Sequence, residues 1–329
     1  MEIVYTDVFE TLTQIISTQT NSNMISRSTS LFYPLFLICF CLISACASED
    51  NTPPAESDVL SWSSAQDSSD IVITIDGFSG PEAVRYDPDQ DVYFVANFNG
   101  DAAGDSNGFI SKVSAEGAIE ELEFMTGTDE FSMHGPRGMY ITDETLWAAD
   151  ADGIHGFDKI TGEHLEFIDF TEFDLGFLND IVQGAGGNLY ITDTGTSKVY
   201  VIEDGTPELL VENLPAPANG IARDGDNQIV LAPWGGALEF VALDESELGY
   251  SEYITAQGGG NFDGIEFLDG RMIAASQVDS SLHVLFNGGD RIAIHVPGRP
   301  ADIGLDTERR RVAVPYIALN RVDIWQLPE

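Results

Sequence analysis

Basic residues are scarce in this chain: 14 lysines and arginines stand against 55 acidic residues in 329, a formal charge of -41. That deficit argues against nucleic acid and anionic lipid surfaces as partners, because both are held through Lys and Arg on phosphate. It favours cations and a salty medium, the more so since only Lys112, Lys159 and Lys198 are lysines. Cysteine is also rare. Cys39, Cys41 and Cys46 are the only three, all near the start, so the chain beyond them has no disulfide and no thiolate for zinc or catalysis. No Gly-rich phosphate loop precedes a helix, no zinc spacing is present, and no Ser-His-Asp triad can be assembled from sequence order.

The segment "MISRSTSLFYPLFLICFCLISACASED", Met24 to Asp50, has one arginine, an apolar run and small residues before a cysteine. These are the three parts of a secretory signal, and the run is too short, with Pro34 too awkward, for an ordinary spanning helix. Its end, Ile43-Ser44-Ala45-Cys46, resembles the bacterial lipoprotein box, which implies lipidation of Cys46 and a place on the cell envelope. Residues 1–23 precede a complete signal and are expected to lie outside the translated protein, with 24–45 as signal peptide. Residues 46–69, rich in Ser, Asp, Glu and Pro, read as a flexible tether.

Beyond the tether one unit recurs. "PEAVRYDPDQDVYFVAN", "PRGMYITDETLWAAD", "LNDIVQGAGGNLYITD", "ANGIARDGDNQIVLAP", "FDGIEFLDGRMIAAS" and "PADIGLDTERRRVAVPY" each hold a strand, a polar turn and a second strand. They repeat at a period of roughly 40 residues, the length of a four-stranded propeller blade. A third strand follows in each copy and a fourth in five of them. The sixth copy ends after three strands, while an unpaired strand, "DIVITIDG", begins at Asp70. Pairing the two closes the ring and removes its open edges. The expectation is therefore an all-β, six-bladed propeller over 70–329, without a long helix.

Strands within a blade are antiparallel, so the starts of the six inner strands ring the axis on one face. The sequence puts Glu82, Arg137, Asn179, Asn219, Asp263 and Ala301 there, with Asp302 beside Ala301. Singly, each has a plain alternative: Asn219-Gly220 and Asp263-Gly264 read as turns, and Glu82 as a solvated acid. Together they set two carboxylates and two amides around one point, a donor set that suits Ca2+, although other divalent ions compete for oxygen sites. Arg137 is expected to bind an anionic or carbonyl group of a substrate. The ends of the second strands, Asn97, Asp150, Asp193, Trp234, Gln277 and Tyr316, fall on the same face and are expected to shape a pocket. His134, in "MHGPRGM", is a candidate proton carrier there, whereas His295 reads as structural. The loop carrying Asp101 and Asp105 lacks EF-hand spacing and reads as an acidic loop.

Glu82, Asn179, Asn219 and Asp263, each leading an inner strand, resemble the metal site of the senescence-marker protein, gluconolactonase and luciferin-regenerating enzyme family. Paraoxonases and diisopropyl fluorophosphatase share its calcium-centred six-bladed arrangement. The resemblance implies a calcium-dependent hydrolase, most often a lactonase, acting on a small lactone or ester. By it, Asp263 is both metal ligand and proton acceptor or nucleophile, and Asn179 contacts substrate or water as well as metal. Blade six departs from the pattern, offering Ala301 and no nearby histidine. The competing expectation is a non-catalytic propeller of the NHL kind that binds a protein or glycan, since the fold hosts both.

Overall fold

Short runs of β-branched and aromatic residues bounded by Asp, Asn and Gly make short strands joined by tight turns, because those turn residues tolerate left-handed backbone. Asp91, Asp204 and Asp269 take positive φ at three such turns. The computed structural model describes residues 71–328 apart from 103, 226, 227, 246–248, 287 and 288. The leader, Cys46 and the tether lie outside the described residues. Among the described residues the chain forms strands and one 3-10 turn, Ile317–Leu319, with no helix long and apolar enough to cross a membrane.

The first strand, β1, is Ile71–Asp76. Blade one follows as β2 (Pro81–Asp87), β3 (Val92–Asn97), β4 (Phe109–Ser114) and β5 (Ile119–Thr126). Blade two is β6 (Met139–Ile141), β7 (Thr145–Ala149), β8 (Gly153–Asp158) and β9 (His164–Asp169). Blade three is β10 (Leu178–Gln183), β11 (Leu189–Asp193), β12 (Lys198–Glu203) and β13 (Thr206–Val211). Blade four is β14 (Ala218–Asp224), β15 (Gln228–Pro233), β16 (Glu239–Asp244) and β17 (Gly249–Thr255). Blade five is β18 (Phe262–Leu268), β19 (Arg271–Ser276), β20 (Ser281–Phe286) and β21 (Gly289–His295). Blade six is β22 (Gly304–Asp306), β23 (Arg311–Tyr316) and β24 (Arg321–Gln326), completed by β1.

Each blade is an antiparallel meander, and β1 pairs with β24 through Ile73 with Ile324 and Ile75 with Val322. The Thr74 hydroxyl adds a 2.9 Å hydrogen bond to Asp323. The expected closure of the sixth blade by the first strand is therefore present, and it covers an edge that an open stack would expose. The apolar core lies between neighbouring blades. Phe94 and Ile110 of blade one pack with Leu146 and Phe157 of blade two, and Ile229 of blade four packs with Val199 of blade three. Burying each such side chain is worth about 1.5–3 kcal/mol, so the ring is held by the faces between its blades.

Candidate metal centre

Four inner strands share an irregularity at the positions of interest. The partner of Pro81 is Asn97 and that of Ala83 is Ala96, so β2 holds one residue more than β3 across this step. The same single extra residue occurs between Leu178 and Ile181, between Ala218 and Ile221, and between Phe262 and Ile265. These are β-bulges, which break the alternation of faces and re-aim a side chain. Glu82, Asn179, Asn219 and Asp263 lie one on each bulge. Arg137 and Ala301 instead precede their strands, because β6 begins at Met139 and β22 at Gly304.

Hydrogen bonds stitch the inner strands into a ring. Asp302 N donates to Glu82 O at 2.9 Å, Gly138 N to Asn179 O at 3.0 Å, and the Thr192 hydroxyl to Asn219 O at 2.6 Å. Close approach depends on small residues after the bulge. A Cβ on Gly264 would stand 2.3 Å from Asp302 Oδ1, a distance no real pair sustains.

Glu82, Asn179, Asn219 and Asp263 are all nearly inaccessible, at 3, 3, 4 and 4% exposure. Each nevertheless has a buried side-chain oxygen without a hydrogen-bond partner: Glu82 Oε2, Asn179 Oδ1, Asn219 Oδ1 and Asp263 Oδ1. Buried polar atoms are nearly always paired, and an unpaired one costs about 1–3 kcal/mol. Four such acceptors at one blade position fit an oxygen-coordinated divalent cation. Asp263 Oδ2 is fixed by Gln277, whose Nε2 donates at 2.6 Å.

Charge supports the same fit. Burial raises Glu82 well above the ordinary carboxylate range; Asp263 and Asp302 add to the rise and Arg137 opposes it. Burial likewise pushes Asp263 up to about 8, with the Gln277 hydrogen bond opposing and Asp180 adding. Along the same strands, Arg85 on β2 reaches Asp180 at 3.2 Å, Asp302 at 2.9 Å and Glu266 at 3.7 Å. Its guanidinium also donates to the carbonyls of Met139, Val84 and Ile303. Glu82, Asp180, Asp263 and Asp302 thus crowd together at the ring, with Arg85 reaching Asp180 and Asp302 and Arg137 acting on Glu82, a crowding of carboxylates that a cation relieves.

Arg137 is buried to 1% exposure, with its guanidinium 3.9 Å from the Phe177 ring centre. One Nη2 hydrogen bond goes to Ala102 O, while Nε and Nη1 have no partner. Burial lowers its pKa, and Asp150 and Glu82 oppose that. It presents unpaired donors beside unpaired acceptors.

The second-strand ends take a different part. Asn97 Oδ1 accepts from Ser79 N, Asp150 from His134 N and Gly135 N, and Asp193 from Gly176 N and Phe177 N. Each therefore grips the loop that leads into its own inner strand, ahead of Glu82, Arg137 and Asn179 respectively. Gln277 bonds to a donor of the ring, Asp263. Trp234 and Tyr316 are buried. His134 lies with Nε2 3.4 Å from Asp152 and Nδ1 3.2 Å from Ser106. Sequence reasoning missed Asp180, Arg85 and Glu266, which occupy later columns of the same repeat: one step after the bulge donor for Asp180 and three steps after it for the other two.

No protein-family profile matches the chain, and no curated protein matches it by sequence. Solved structures do. A gluconolactonase from Xanthomonas campestris superposes with a TM-score of 0.60 at 16% identity, over 77% of this chain and 88% of that one. Virginiamycin B lyase from Staphylococcus aureus gives 0.53 at 15%, over 78% and 88%. The Cps50 (Swd1) β-propeller domain from Myceliophteria thermophila gives 0.57 at 11%, over 78% and 99%. The fold is a six-bladed β-propeller. Identities this low speak for the fold alone.

Proposed function

We propose that the chain is a divalent-cation-dependent hydrolase of the gluconolactonase kind, opening a lactone or related small ester. In this reading Glu82, Asn179, Asn219 and Asp263 hold one Ca2+. The observation that carries it is the set of four buried, unpartnered oxygens at equivalent blade positions. When bound, such an ion supplies a Lewis acid beside the substrate carbonyl. Arg137 orients the substrate through its unpaired N–H groups, and Phe177 holds the guanidinium flat. Gln277 holds Asp263 Oδ2 and so keeps Oδ1 free for the ion, and in this reading the Asp263 carboxylate also takes a proton from attacking water. His134 is the second candidate proton carrier. Asn97, Asp150 and Asp193 act through the loops they hold, while Trp234 and Tyr316 complete the surroundings of the same face.

The fold keeps one other reading, a binding propeller of the NHL kind without chemistry, since propellers host both. A panel of aldonolactones and aliphatic lactones, offered to the calcium-loaded protein, separates the two. Hydrolysis of at least one, lost by on the order of 10²–10³ in Asp263→Asn with unchanged circular dichroism, supports the hydrolase. No turnover of any member, with calcium bound, favours the binding module. We also propose that Cys46 carries a lipid that tethers the propeller to the cell envelope; metabolic labelling with a palmitate analogue, lost in Cys46→Ser, tests this.

A further inference from the structure

Blades two and five carry a buried histidine at the same place, and the difference between them points to a second cation site. His155 on β8 pairs with Ala148, and His283 on β20 pairs with Ala274. In blade five the imidazole is satisfied on both sides. Nδ1 stands 2.8 Å from Asp290 Oδ1 and Nε2 3.0 Å from Asp279 Oδ2. Burial works to lower its pKa, but the two carboxylates outweigh that and hold it above the ordinary value. This is a self-contained imidazolium pair.

In blade two the place of Asp290 is taken by His164. The ladder sets Leu285 against Asp290 and, equivalently, Phe157 against His164. His155 Nδ1 lies 2.9 Å from His164 Nε2. That contact is a ring-to-ring hydrogen bond, and with His155 Nδ1–H as its donor the other nitrogen of His155 is left as a free ligand atom. That leaves His155 Nε2, fully buried, facing the turn. It stands 3.2 Å from Asp150 Oδ2, in ion-pair range but without the geometry of a well-formed hydrogen bond.

The turn is doubly acidic. Asp150 stands two residues past Ala148, where blade five has the uncharged Ser276 two past Ala274. One oxygen of Asp150, one of Asp152 and a ring nitrogen of His155 lie within 4.8 Å of one another. Asp150 already accepts His134 N at Oδ2 and Gly135 N and Ala151 N at Oδ1, which leaves a lone pair on Oδ2. Asp152 Oδ1 is buried and unpartnered. Relative to its blade-five counterpart, the cluster keeps two carboxylates but has both at the turn, with an imidazole in place of Asp290 on the other side of the ring.

We propose that Asp150, Asp152 and His155 bind a second divalent cation of the borderline class, Zn2+ in preference to Ca2+. One imidazole nitrogen with two carboxylate oxygens suits zinc, whereas calcium takes oxygen donors. The His155 Nδ1–H to His164 bond is the outer contact that fixes the tautomer of a ligating histidine. Because Asp150 also grips the His134–Gly135 loop, the ion braces the segment that carries Arg137. The site stands on its own geometry, whether or not the oxygen ring holds calcium.

The test is 15N NMR of the full chain labelled at histidine, saturated with Ca2+ and titrated with Zn2+. The His155 resonances are assigned by their absence in His155→Gln. The expected result is a move of His155 Nε2 into the metal-bound range with His283 unmoved, and at least about tenfold weaker zinc binding at that signal in Asp152→Asn. Zinc taken up by the cysteines or by the oxygen ring leaves this resonance where it was. Asp152 is half-exposed, so its variant keeps the blade intact. A His155 signal that stays put at saturating zinc, or one that moves with equal affinity in Asp152→Asn, overturns the proposal.

Discussion

Gly220 lies so close to Asp263 that a Cβ built on the glycine would stand 2.1 Å from the Asp263 carbonyl oxygen. Neighbouring bulges therefore touch, backbone to side-chain position, across the boundary of blades four and five. Gly220→Ala is expected to push the Asp263 backbone outward, because the obstructing atom belongs to the main chain. Overpacking of this kind costs about 1–3 kcal/mol, read as a drop in thermal midpoint, and calcium affinity is expected to fall with it. Alanine at Gly205, where nothing lies within 4 Å, serves as a control for added bulk, its own strain being local to a φ of +76°.

The pH dependence of stability follows from the raised carboxylates. Asp263 moves from an ordinary 3.8 to about 8, chiefly by burial, and Glu82 is raised for the same first reason. A folded pKa above the unfolded one means that the folded state binds more protons between the two values. Calcium-free protein is therefore expected to lose stability as pH rises from about 4 through 8. Calcium binds the ionised carboxylates, so the stabilisation it confers is expected to grow over the same window, with protons released on binding. Thermal melts at pH 5, 6.5 and 8, with and without calcium, read both trends.

Arg137→Met keeps a flexible side chain over Phe177 but removes the unpaired N–H groups. If the guanidinium binds substrate, KM is expected to rise at least about tenfold, with calcium affinity changed little. An unchanged KM assigns Arg137 to balancing the Glu82 and Asp150 charges instead.

Removing residues up to Asp76 deletes β1 and leaves β24 with an open edge. The truncated chain is expected to melt lower and to aggregate, since exposed edges pair with other chains. Supplying the β1 peptide in trans is expected to restore part of the loss.

The ring was legible in the sequence because the blade repeat is long and its turn chemistry regular. The unpaired strand near Asp70 and the three-stranded last copy even pointed to the closure between β1 and β24. What the repeat alignment did not expose was the bulge beneath each oxygen donor. A bulge changes register by one residue without changing residue type, so Asn219-Gly220 reads as a turn until its partner strand is seen. Nor could the alignment show that Asn97, Asp150 and Asp193 hold loops, since their bonds run to backbone N–H groups that no side-chain pattern reveals. Arg85, Asp180 and Glu266 were hidden differently. They stand on the same strands as the donors, but their pairing crosses blades and depends on how the inner strands tilt toward the axis.

Everything proposed for this face depends on Glu82, Asn179, Asn219 and Asp263 forming one cation site. The most direct measurement is the calcium content of the purified protein after equilibrium dialysis, taken in parallel for the wild type and Asp263→Asn. The expected result is one tight calcium per chain in the wild type, lost in the variant while the β-sheet spectrum is unchanged. A wild type that retains no calcium, or a variant that retains it equally well, rules out a cation site built on these four residues.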